Sequence, residues 1–228
     1  MKIIVINGSP KKEKSDTMKI TKAFLEGMNR HTENDIKIID AIDRKINYCL
    51  GCFTCMHNGG TCVHNDDMTY VLSEITSSDL VIFSFPLYCY GMPASIKVVV
   101  DRLLPLTSMR MKKSDEGRYI HETQKDVSHL KFIMISGCGF PNNKRNFEPM
   151  IDQFNLLFPK NDAIITIPEA PMFNAPEAIE VTLPRLQSIK EAGYEYAKYG
   201  VVSPELLSDI TAPMIPEDIY SKILNGEL

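Results

Sequence analysis

The chain has 228 residues, a formal net charge of −4 and a hydrophobic fraction of 44%. This length and composition suit one sizeable globular α/β domain with a buried core. The weak negative charge argues against a broad nucleic-acid surface, which needs clustered Lys and Arg, and no apolar run approaches the ~20 residues of a membrane helix. We therefore expect neither nucleic acid nor a membrane as a partner.

The first apolar run, Lys2–Asn7, predicts a β-strand. It is shorter than the hydrophobic part of a secretory signal, so a cytoplasmic protein is expected. Four further short runs rich in Val, Ile and Phe share its nearly continuous apolar character, which is typical of strands buried on both faces. These predicted strands are Asp35–Asp40, Asp79–Phe85, Leu130–Ser136 and Ala163–Pro168.

Amphipathic stretches between and after these runs predict five helices. The alternation of strand and helix predicts one doubly wound domain over residues 1–200, with a parallel sheet and helices on both of its faces. The predicted helices are Ser15–Arg30, Asp67–Ser77, Pro93–Leu104, Asn146–Leu157 and Pro176–Tyr199.

Two segments are additional to these five strands and five helices. Residues 105–129 are a long polar insertion between the third helix and the fourth strand, and unstructured connections of that length are usually functional or oligomer-forming. Residues 201–228 form a tail in which two short helices opened by Pro are predicted. For both segments, surface packing on the same domain and a role as a dimer arm or active-site cover remain open interpretations.

The loop after the first strand carries hydroxyl groups into the start of a helix. Backbone N–H groups, hydroxyls and the positive end of the helix dipole converge at such a point and suit a phosphate. The alternative is a plain turn in which Ser15 caps the helix. Neither a P-loop nor a dinucleotide fingerprint is present. The candidate phosphate contacts are Ser9, Ser15 and Thr17, while Lys11, Lys12 and Lys14 either favour an anion or are solvated.

The loops after the third and fourth strands favour a flat aromatic ligand. Phe85–Pro93 contains two Tyr, and its backbone N–H groups from Tyr88 to Gly91 are candidates for the polar edge of a ring. In Ser136–Asn142, glycines flank Cys138 and allow the backbone to approach a ligand closely. Since the carboxyl ends of parallel strands share one edge, these loops and the first one predict a single site. The alternative is that both tyrosines are ordinary half-buried aromatics.

Three segments together resemble the flavodoxin-like NAD(P)H-dependent FMN reductases, and most of all the branch of iron–sulfur flavoproteins. They are GSPKKEKSDT, the run PLYCYGMPASIK with its later DR, and CLGCFTCMHNGGTCVHNDDM. The resemblance covers residues 1–200, and the tail is also typical of the branch. It implies a flavodoxin-like fold with strand order 2-1-3-4-5 and a C-terminal helical extension.

The resemblance also implies how FMN is bound. The phosphate is expected on Ser9, Lys11, Ser15 and Thr17. A homodimer or homotetramer is implied, in which a neighbouring subunit helps to close the flavin site. The isoalloxazine ring is expected against Pro86, Leu87, Tyr88, Tyr90, Gly91, Met92, Gly137, Cys138 and Gly139.

The cysteine loop, residues 48–64, contains four cysteines in the spacing C-x2-C-x2-C-x6-C. In the family that the chain resembles, a compact motif of this kind binds a 4Fe–4S cluster, and four closely spaced thiolates with glycines between them suit a cubane. Structural zinc more often uses two separated pairs. A disulfide is disfavoured in a reducing compartment. A cluster, a zinc ion and reduced structural thiols remain open for the candidate ligands Cys49, Cys52, Cys55 and Cys62.

The expected function is that of an oxidoreductase in which NAD(P)H reduces FMN and an unknown acceptor takes the electrons, with the cluster as a candidate intermediate carrier. No side chain is expected to act as a catalytic acid or base, because the flavin supplies the chemistry. The alternatives are a flavodoxin-type electron carrier without a substrate of its own and a zinc-binding structural or regulatory module. His57 and His64 are expected to be exposed, and Asp66-Asp67 is expected to cap the second predicted helix.

Overall fold

The computed structural model describes residues 1–115 and 117–228. Five parallel strands form one sheet, and two antiparallel strands form a separate hairpin. The predicted sheet order 2-1-3-4-5 is confirmed, because the observed order is β2-β1-β3-β6-β7. The strands are β1 (Lys2–Asn7), β2 (Asp35–Asp40), β3 (Leu80–Pro86), β4 (Thr107–Lys113), β5 (Tyr119–Thr123), β6 (Lys131–Gly137) and β7 (Ala163–Ile167).

The helices cover both faces of the sheet, as predicted. One buried cluster joins the sheet to α1 and α6, and the other joins it to α3, α4 and α5. Among the described residues, no helix has the length and apolar character that a membrane crossing requires. The helices are α1 (Asp16–His31), α2 (Thr54–His57), α3 (Met68–Thr76), α4 (Ala94–Asp101), α5 (Glu148–Leu157), α6 (Ile179–Tyr199), α7 (Pro204–Thr211) and α8 (Glu217–Leu224).

Two predicted helix ends are wrong by several residues. The helix predicted over Pro93–Leu104 ends at Asp101, because the chain tightens into a 3₁₀ turn at Leu104–Leu106, where Pro105 has no N–H to donate. The helix predicted from Pro176 begins at Ile179, after a separate 3₁₀ turn. The predicted strands are displaced from the observed ones by at most one residue at each end.

The insertion at residues 105–129 is not the unstructured polar connection that its composition indicates. Its described residues contain the hairpin β4–β5, and residue 116 lies outside the described part of the chain. Most of β4 is exposed, including Met109 and Met111, and β5 alternates between exposed and half-buried residues. A search for continuous apolar runs therefore misses them, since such runs indicate strands that are buried on both faces.

The C-terminal tail forms the two predicted helices and packs on the domain. The Asn143 side-chain amide donates to the Thr211 carbonyl at 3.0 Å, and Arg185 Nη1 donates to the Ala212 carbonyl at 2.8 Å. Glu169 accepts the N–H of Met214. Tyr220 on α8 is 1% exposed, so α8 buries a large side chain against the rest of the chain.

Helices α1 and α6 approach so closely that only glycine fits at two contact points. A Cβ added to Gly27 would lie 1.8 Å from the carbonyl oxygen of Lys190, and one added to Gly193 would lie 1.9 Å from that of Phe24. Both obstacles are backbone atoms, which cannot rotate away. These two glycines therefore set the distance between the helices.

We expect Gly27→Ala and Gly193→Ala each to lower the free energy of unfolding by about 2 kcal/mol or more, because the forced separation of two helices outweighs the ~0.5–1 kcal/mol by which Ala favours a helix over Gly. Urea denaturation measures the change. Gln187→Ala, on an exposed position of α6, is the control and should stay within about 0.5 kcal/mol of the unchanged protein. Equal stability of all three variants would contradict the close contact.

Candidate cofactor site and cysteine loop

Asn7, at the end of β1, positions the first loop. Its side-chain amide donates to Asp40 Oδ1 at 2.7 Å, and its Oδ1 accepts the N–H of Ser9 at 3.0 Å. The Ser9 hydroxyl accepts the N–H of Lys11 at 3.3 Å. Asn7 is fully buried, so the loop leaves the sheet in a defined direction. Asn7 has no motif signal in the sequence and was not among the candidate residues.

Ser15 caps α1, as the alternative interpretation of the loop proposed. Its hydroxyl accepts the N–H of Met18 at 3.1 Å and lies 3.2 Å from the Thr17 hydroxyl. The N–H groups of Asp16 and Thr17 make no hydrogen bond with the described part of the chain, as is usual in the first turn of a helix. The turn therefore caps the helix and still presents free donors and hydroxyls at the positive end of its dipole.

The hydroxyl-bearing residues of this loop are buried and its lysines are exposed. Ser9, Ser15 and Thr17 are each 2% exposed. Lys12 pairs with Asp43 at 2.7 Å, and Lys11 lies 3.9 Å from the Asp16 carboxylate. Lys12 and Lys14 therefore match the solvated interpretation, while Lys11 stays at the mouth of the loop.

The loop after β3 contains a tight turn that is closed by two backbone hydrogen bonds. The N–H of Tyr88 donates to the Gly91 carbonyl at 3.1 Å, and the N–H of Gly91 donates to the Tyr88 carbonyl at 2.9 Å. The expectation that the N–H groups from Tyr88 to Gly91 all meet a ligand is therefore wrong for these two, because the turn itself uses them. Cys89 and Tyr90 have left-handed backbone angles with φ of 49° and 63°.

Hydrogen bonds tie the loops after β3, β6 and β7 to one another. The N–H of Leu87 donates to the Gly137 carbonyl at 2.8 Å, and the N–H of Ala170 donates to the Cys138 carbonyl at 2.8 Å. The exposed rings of Tyr90 and Phe140 are stacked, with centroids 5.9 Å apart. These contacts hold the three loops in one arrangement.

The loops enclose an open cleft of about 200 Å³. It brings together ten of the thirteen predicted cofactor residues, whereas Tyr90, Gly91 and Met92 do not line it. The lining residues are Ser9, Lys11, Ser15, Asp16, Thr17, Pro86, Leu87, Tyr88, Gly137, Cys138, Gly139, Ala170 and Pro171.

Three lining residues were missed in the sequence: Asp16, Ala170 and Pro171. A Cβ on Gly137 would lie 2.6 Å from the Ala170 side chain and 3.2 Å from the Thr17 methyl group, so Gly137 lets the loop after β7 close over the end of β6. The charge of Asp16 is compensated by Lys11 and by the side-chain amide of Asn174. The cleft therefore remains suited to a phosphate.

The cysteine loop follows β2 at the same edge of the sheet. Gly51, Gly59 and Gly60 have φ of 62°, 76° and 93°, which is the turning freedom expected of them. Cys49 and Cys52 are exposed, Cys62 is half-buried and Cys55 is buried at the second position of α2. Two of the four thiols are thus open to solvent, and one is enclosed by the chain.

The four thiols lie close enough to influence one another. Burial, and then the sulfurs of Cys62, Cys49 and Cys52, raise the pKa of the Cys55 thiol. Hydrogen bonds from the hydroxyl and the N–H of Thr54 lower the pKa of Cys52. Within residues 1–115 and 117–228, no three His, Cys, Asp or Glu side chains converge as a site for one metal ion.

Two residues of the insertion at residues 105–129 contact the cysteine loop. Gln124, beyond β5, donates its side-chain amide to the Cys55 carbonyl at 2.9 Å. A Cβ on Gly60 would lie 2.6 Å from the Pro105 carbonyl. The insertion at residues 105–129 therefore supports the cysteine loop.

Asp66 and Arg102 form a buried ion pair beside Cys62. The pair has an Nη1–Oδ2 distance of 2.8 Å, with side chains 2% exposed for Arg102 and 4% for Asp66. Asp66 Oδ1 also accepts the N–H of Met68 at 3.1 Å, so Asp66 satisfies a donor at the start of the helix as predicted. The Asp67 side chain does not cap the helix, because it accepts the N–H of Lys45 instead. Neither the burial nor the pairing of Asp66 was expected. His64 is half-buried instead of exposed, with Nε2 3.1 Å from the Tyr48 carbonyl oxygen, while His57 is exposed as expected.

A family model described as a flavodoxin-like fold matches residues 1–154, more than half of the chain. The chain belongs to this flavodoxin-like family. This result confirms the fold and the family that the sequence motifs indicated.

The curated relatives at 29–36% identity are named iron–sulfur flavoproteins. The protein of Archaeoglobus fulgidus is 36% identical over 105 residues, which is 46% of each chain. That of Methanocaldococcus jannaschii is 33% identical over 46% of this chain and 53% of its own. That of Clostridioides difficile is 33% identical over 61% of this chain and 64% of its own. The chain thus spans about half to two thirds of the length of these relatives.

Solved structures share the fold at lower identity. An FMN-dependent NADH-azoreductase from Bacillus anthracis in complex with FMN aligns with a TM-score of 0.59 at 16% identity, over 86% of this chain and 99% of its own. An NAD(P)H:quinone oxidoreductase from Methanothermobacter marburgensis aligns with a TM-score of 0.60 at 14% identity, over 86% of this chain and 96% of its own. At such identities the likeness shows the fold alone.

We expect Cys138 to resist alkylation in the folded, cofactor-free protein. Burial raises the pKa of its thiol to about 11, so at pH 8 only about one thiol in a thousand is the reactive thiolate. Cys52, which is exposed and has a lowered pKa, should react first. Mass spectrometry after iodoacetamide treatment measures both sites. Labelling of Cys138 as fast as Cys52 before unfolding would contradict its burial in the cleft wall.

Proposed function

We propose that the protein is an NAD(P)H-dependent FMN oxidoreductase that passes electrons to an acceptor, with the cysteine loop holding a 4Fe–4S cluster. The observation that carries the proposal is the meeting of a phosphate-type loop and two ring-type loops in one cleft at the carboxyl edge of a parallel sheet. That edge is where doubly wound folds bind their ligands. The names of the relatives and of the FMN-containing structural neighbour support the same conclusion.

The FMN phosphate fits the loop after β1. Buried hydroxyls, the free N–H groups at the start of α1 and the exposed Lys11 would surround it. The ring would lie along Pro86, Leu87 and Tyr88 on one side and along Gly137–Gly139 on the other. Tyr90, Gly91 and Met92, which do not line the cleft, would shape the outer wall of the ring site. When bound, FMN supplies hydride acceptance and the passage of electrons singly or in pairs.

The protein's own residues position the cofactor and keep water away from it. The chain shows no dinucleotide fingerprint, so the nicotinamide would stack on the exposed face of the flavin. The apolar side chains of Tyr88, Tyr90 and Phe140, which are 40–51% exposed around the cleft, support a homodimer or homotetramer in which a second subunit covers this face.

The cysteine loop fits a cluster by its donor set and its place. It offers four neighbouring thiols, one of them buried, and four thiolates are what a 4Fe–4S cluster would take as ligands. The loop leaves β2, which lies two strand spacings from β3, a distance of about 10 Å. A cluster there would lie near enough to the flavin for electron transfer.

Thr17→Val tests the phosphate site. Removing a buried hydroxyl that donates to a charged phosphate costs about 1.5–3 kcal/mol, which corresponds to an FMN dissociation constant raised about 10- to 100-fold. Flavin fluorescence quenching measures the change. Thr32→Val, at the exposed opposite end of α1, is the matched control and should bind FMN as the unchanged protein does. An unchanged FMN dissociation constant for Thr17→Val would contradict the proposal that the phosphate binds in this loop.

Cys52→Ser separates the two proposed redox sites. NAD(P)H should still bleach the flavin without oxygen, while the rate of reduction of a one-electron acceptor should fall at least tenfold, because the cluster is lost. His57→Ser, an exposed change in the same loop, should leave both rates unchanged. If NAD(P)H does not bleach bound FMN even in the unchanged protein, the flavodoxin-type carrier is correct instead. If the unchanged protein and Cys52→Ser reduce the acceptor at equal rates, the protein is a simple FMN reductase in which a cluster plays no part.

A further inference from the structure

The guanidinium of Arg102 lies under the cysteine loop and uses four of its five N–H groups. Nη1 donates to the Asn47 carbonyl at 2.7 Å and to Asp66 Oδ2 at 2.8 Å. Nη2 donates to Asp66 Oδ1 at 3.1 Å and to Cys62 Sγ at 3.5 Å. Asn47 precedes the first cysteine and Cys62 is the last, so one side chain connects the two ends of the loop.

The fifth donor of Arg102 is the N–H of Nε, on the side of the guanidinium from which Nη2 donates to Cys62. The guanidinium is planar and has two edges, each with a pair of parallel N–H groups. The end-on pair, from Nη1 and Nη2, donates to the Asp66 carboxylate. The side-on pair, from Nε and Nη2, points in another direction. Nη2 reaches Cys62 through that side-on pair. The parallel N–H of Nε is buried and has no hydrogen-bond partner in the described part of the chain.

A buried charged donor without an acceptor is costly, so an unpartnered N–H beside the Cys62 thiol is suited to a bound acceptor. A cysteine thiolate or an inorganic sulfide of a cluster offers acceptor sulfur. A bound zinc ion would place no such bridging sulfur within reach of a second donor.

We propose that Arg102 is the positioning residue of the cluster, holding Cys62 as a ligand and donating its two side-on N–H groups to cluster sulfur. This inference rests on the proposed cluster and adds a residue that the cysteine motif does not include. Hydrogen bonds to the sulfurs of a cluster stabilise its reduced, more negative form and raise its reduction potential. Arg102 therefore sets the potential at which the cluster accepts an electron.

Asp66 determines how Arg102 influences the reduction potential of the cluster. The Arg102–Asp66 pair is neutral overall, so the influence on sulfur comes from the directed N–H groups more than from net charge. Arg102→Lys keeps the positive charge but loses the paired N–H groups of the guanidinium. Asp66→Asn keeps those N–H groups but removes the compensating negative charge. The two changes should therefore shift the cluster potential in opposite directions.

The test is a redox titration of anaerobically prepared holoprotein, followed by optical and electron paramagnetic resonance spectra, with iron counted on each sample. Arg102→Lys should lower the cluster potential, so that the ratio of reduced to oxidised cluster falls about tenfold at a fixed potential, a shift of about 59 mV for one electron. Asp66→Asn should raise the potential. The FMN of the same sample is the internal reference and should not shift.

Lys97→Gln is the matched control, because Lys97 lies on α4, the helix that directly precedes Arg102, and makes an exposed ion pair with Asp101 at 2.6 Å. Unchanged cluster potentials in both Arg102→Lys and Asp66→Asn would overturn the inference. Selective loss of iron from Arg102→Lys, with FMN retained and Lys97→Gln fully loaded, would support the holding of Cys62. An unchanged protein that binds FMN but no iron would refute the proposed cluster itself, and the inference with it.

Discussion

The parallel register of the central sheet is the constraint on which the rest of the molecule depends. Asn7 pairs with Asp40 on one side and with Ser84 on the other, and Pro86 pairs with Gly137. Because all five strands run in one direction, the loops that follow them leave from a single edge. The phosphate-type loop, the ring-type loops and the cysteine loop are therefore neighbours, although they are far apart in the chain.

A second constraint is the burial of charge under the cysteine loop. Burial by itself would raise the pKa of Asp66, but hydrogen bonds from Arg102 and from the N–H groups of Asn47 and Met68 outweigh it and hold that pKa well below its usual range. A lowered pKa means that the pair stabilises the fold fully above the ordinary Asp pKa of about 3.9 and loses this effect only as the pH falls below it. Removing one partner of such a pair costs about 3–5 kcal/mol, because the other charge is left buried and unpaired.

The sheet was predictable because its strands are continuous apolar runs. β3 is fully buried over Leu80–Phe85, and few other structures accommodate such a run. The hydroxyls of Ser9, Ser15 and Thr17 were also predictable, since they lie beside a strand end and a helix start. The cysteine spacing, together with the family resemblance, made a cluster one of three open interpretations of the loop.

The parts that were missed depend on contacts between distant segments. Asp16, Ala170 and Pro171 enter the cleft because the loop after β7 closes on β6 through the space left by Gly137. The hairpin β4–β5 is mostly exposed and has no continuous apolar run in its sequence. Arg102 directly follows α4 and lies forty residues after Cys62 in the chain, so only the folded structure shows that it contacts the cysteine loop. No local pattern encodes such pairings.

The central claim is that one sheet edge holds both a flavin and a cluster. It is tested most directly by counting FMN, iron and acid-labile sulfide in protein purified without oxygen. The account predicts one FMN with about four irons and four sulfides per chain. One FMN without iron, or zinc in place of iron, would contradict it.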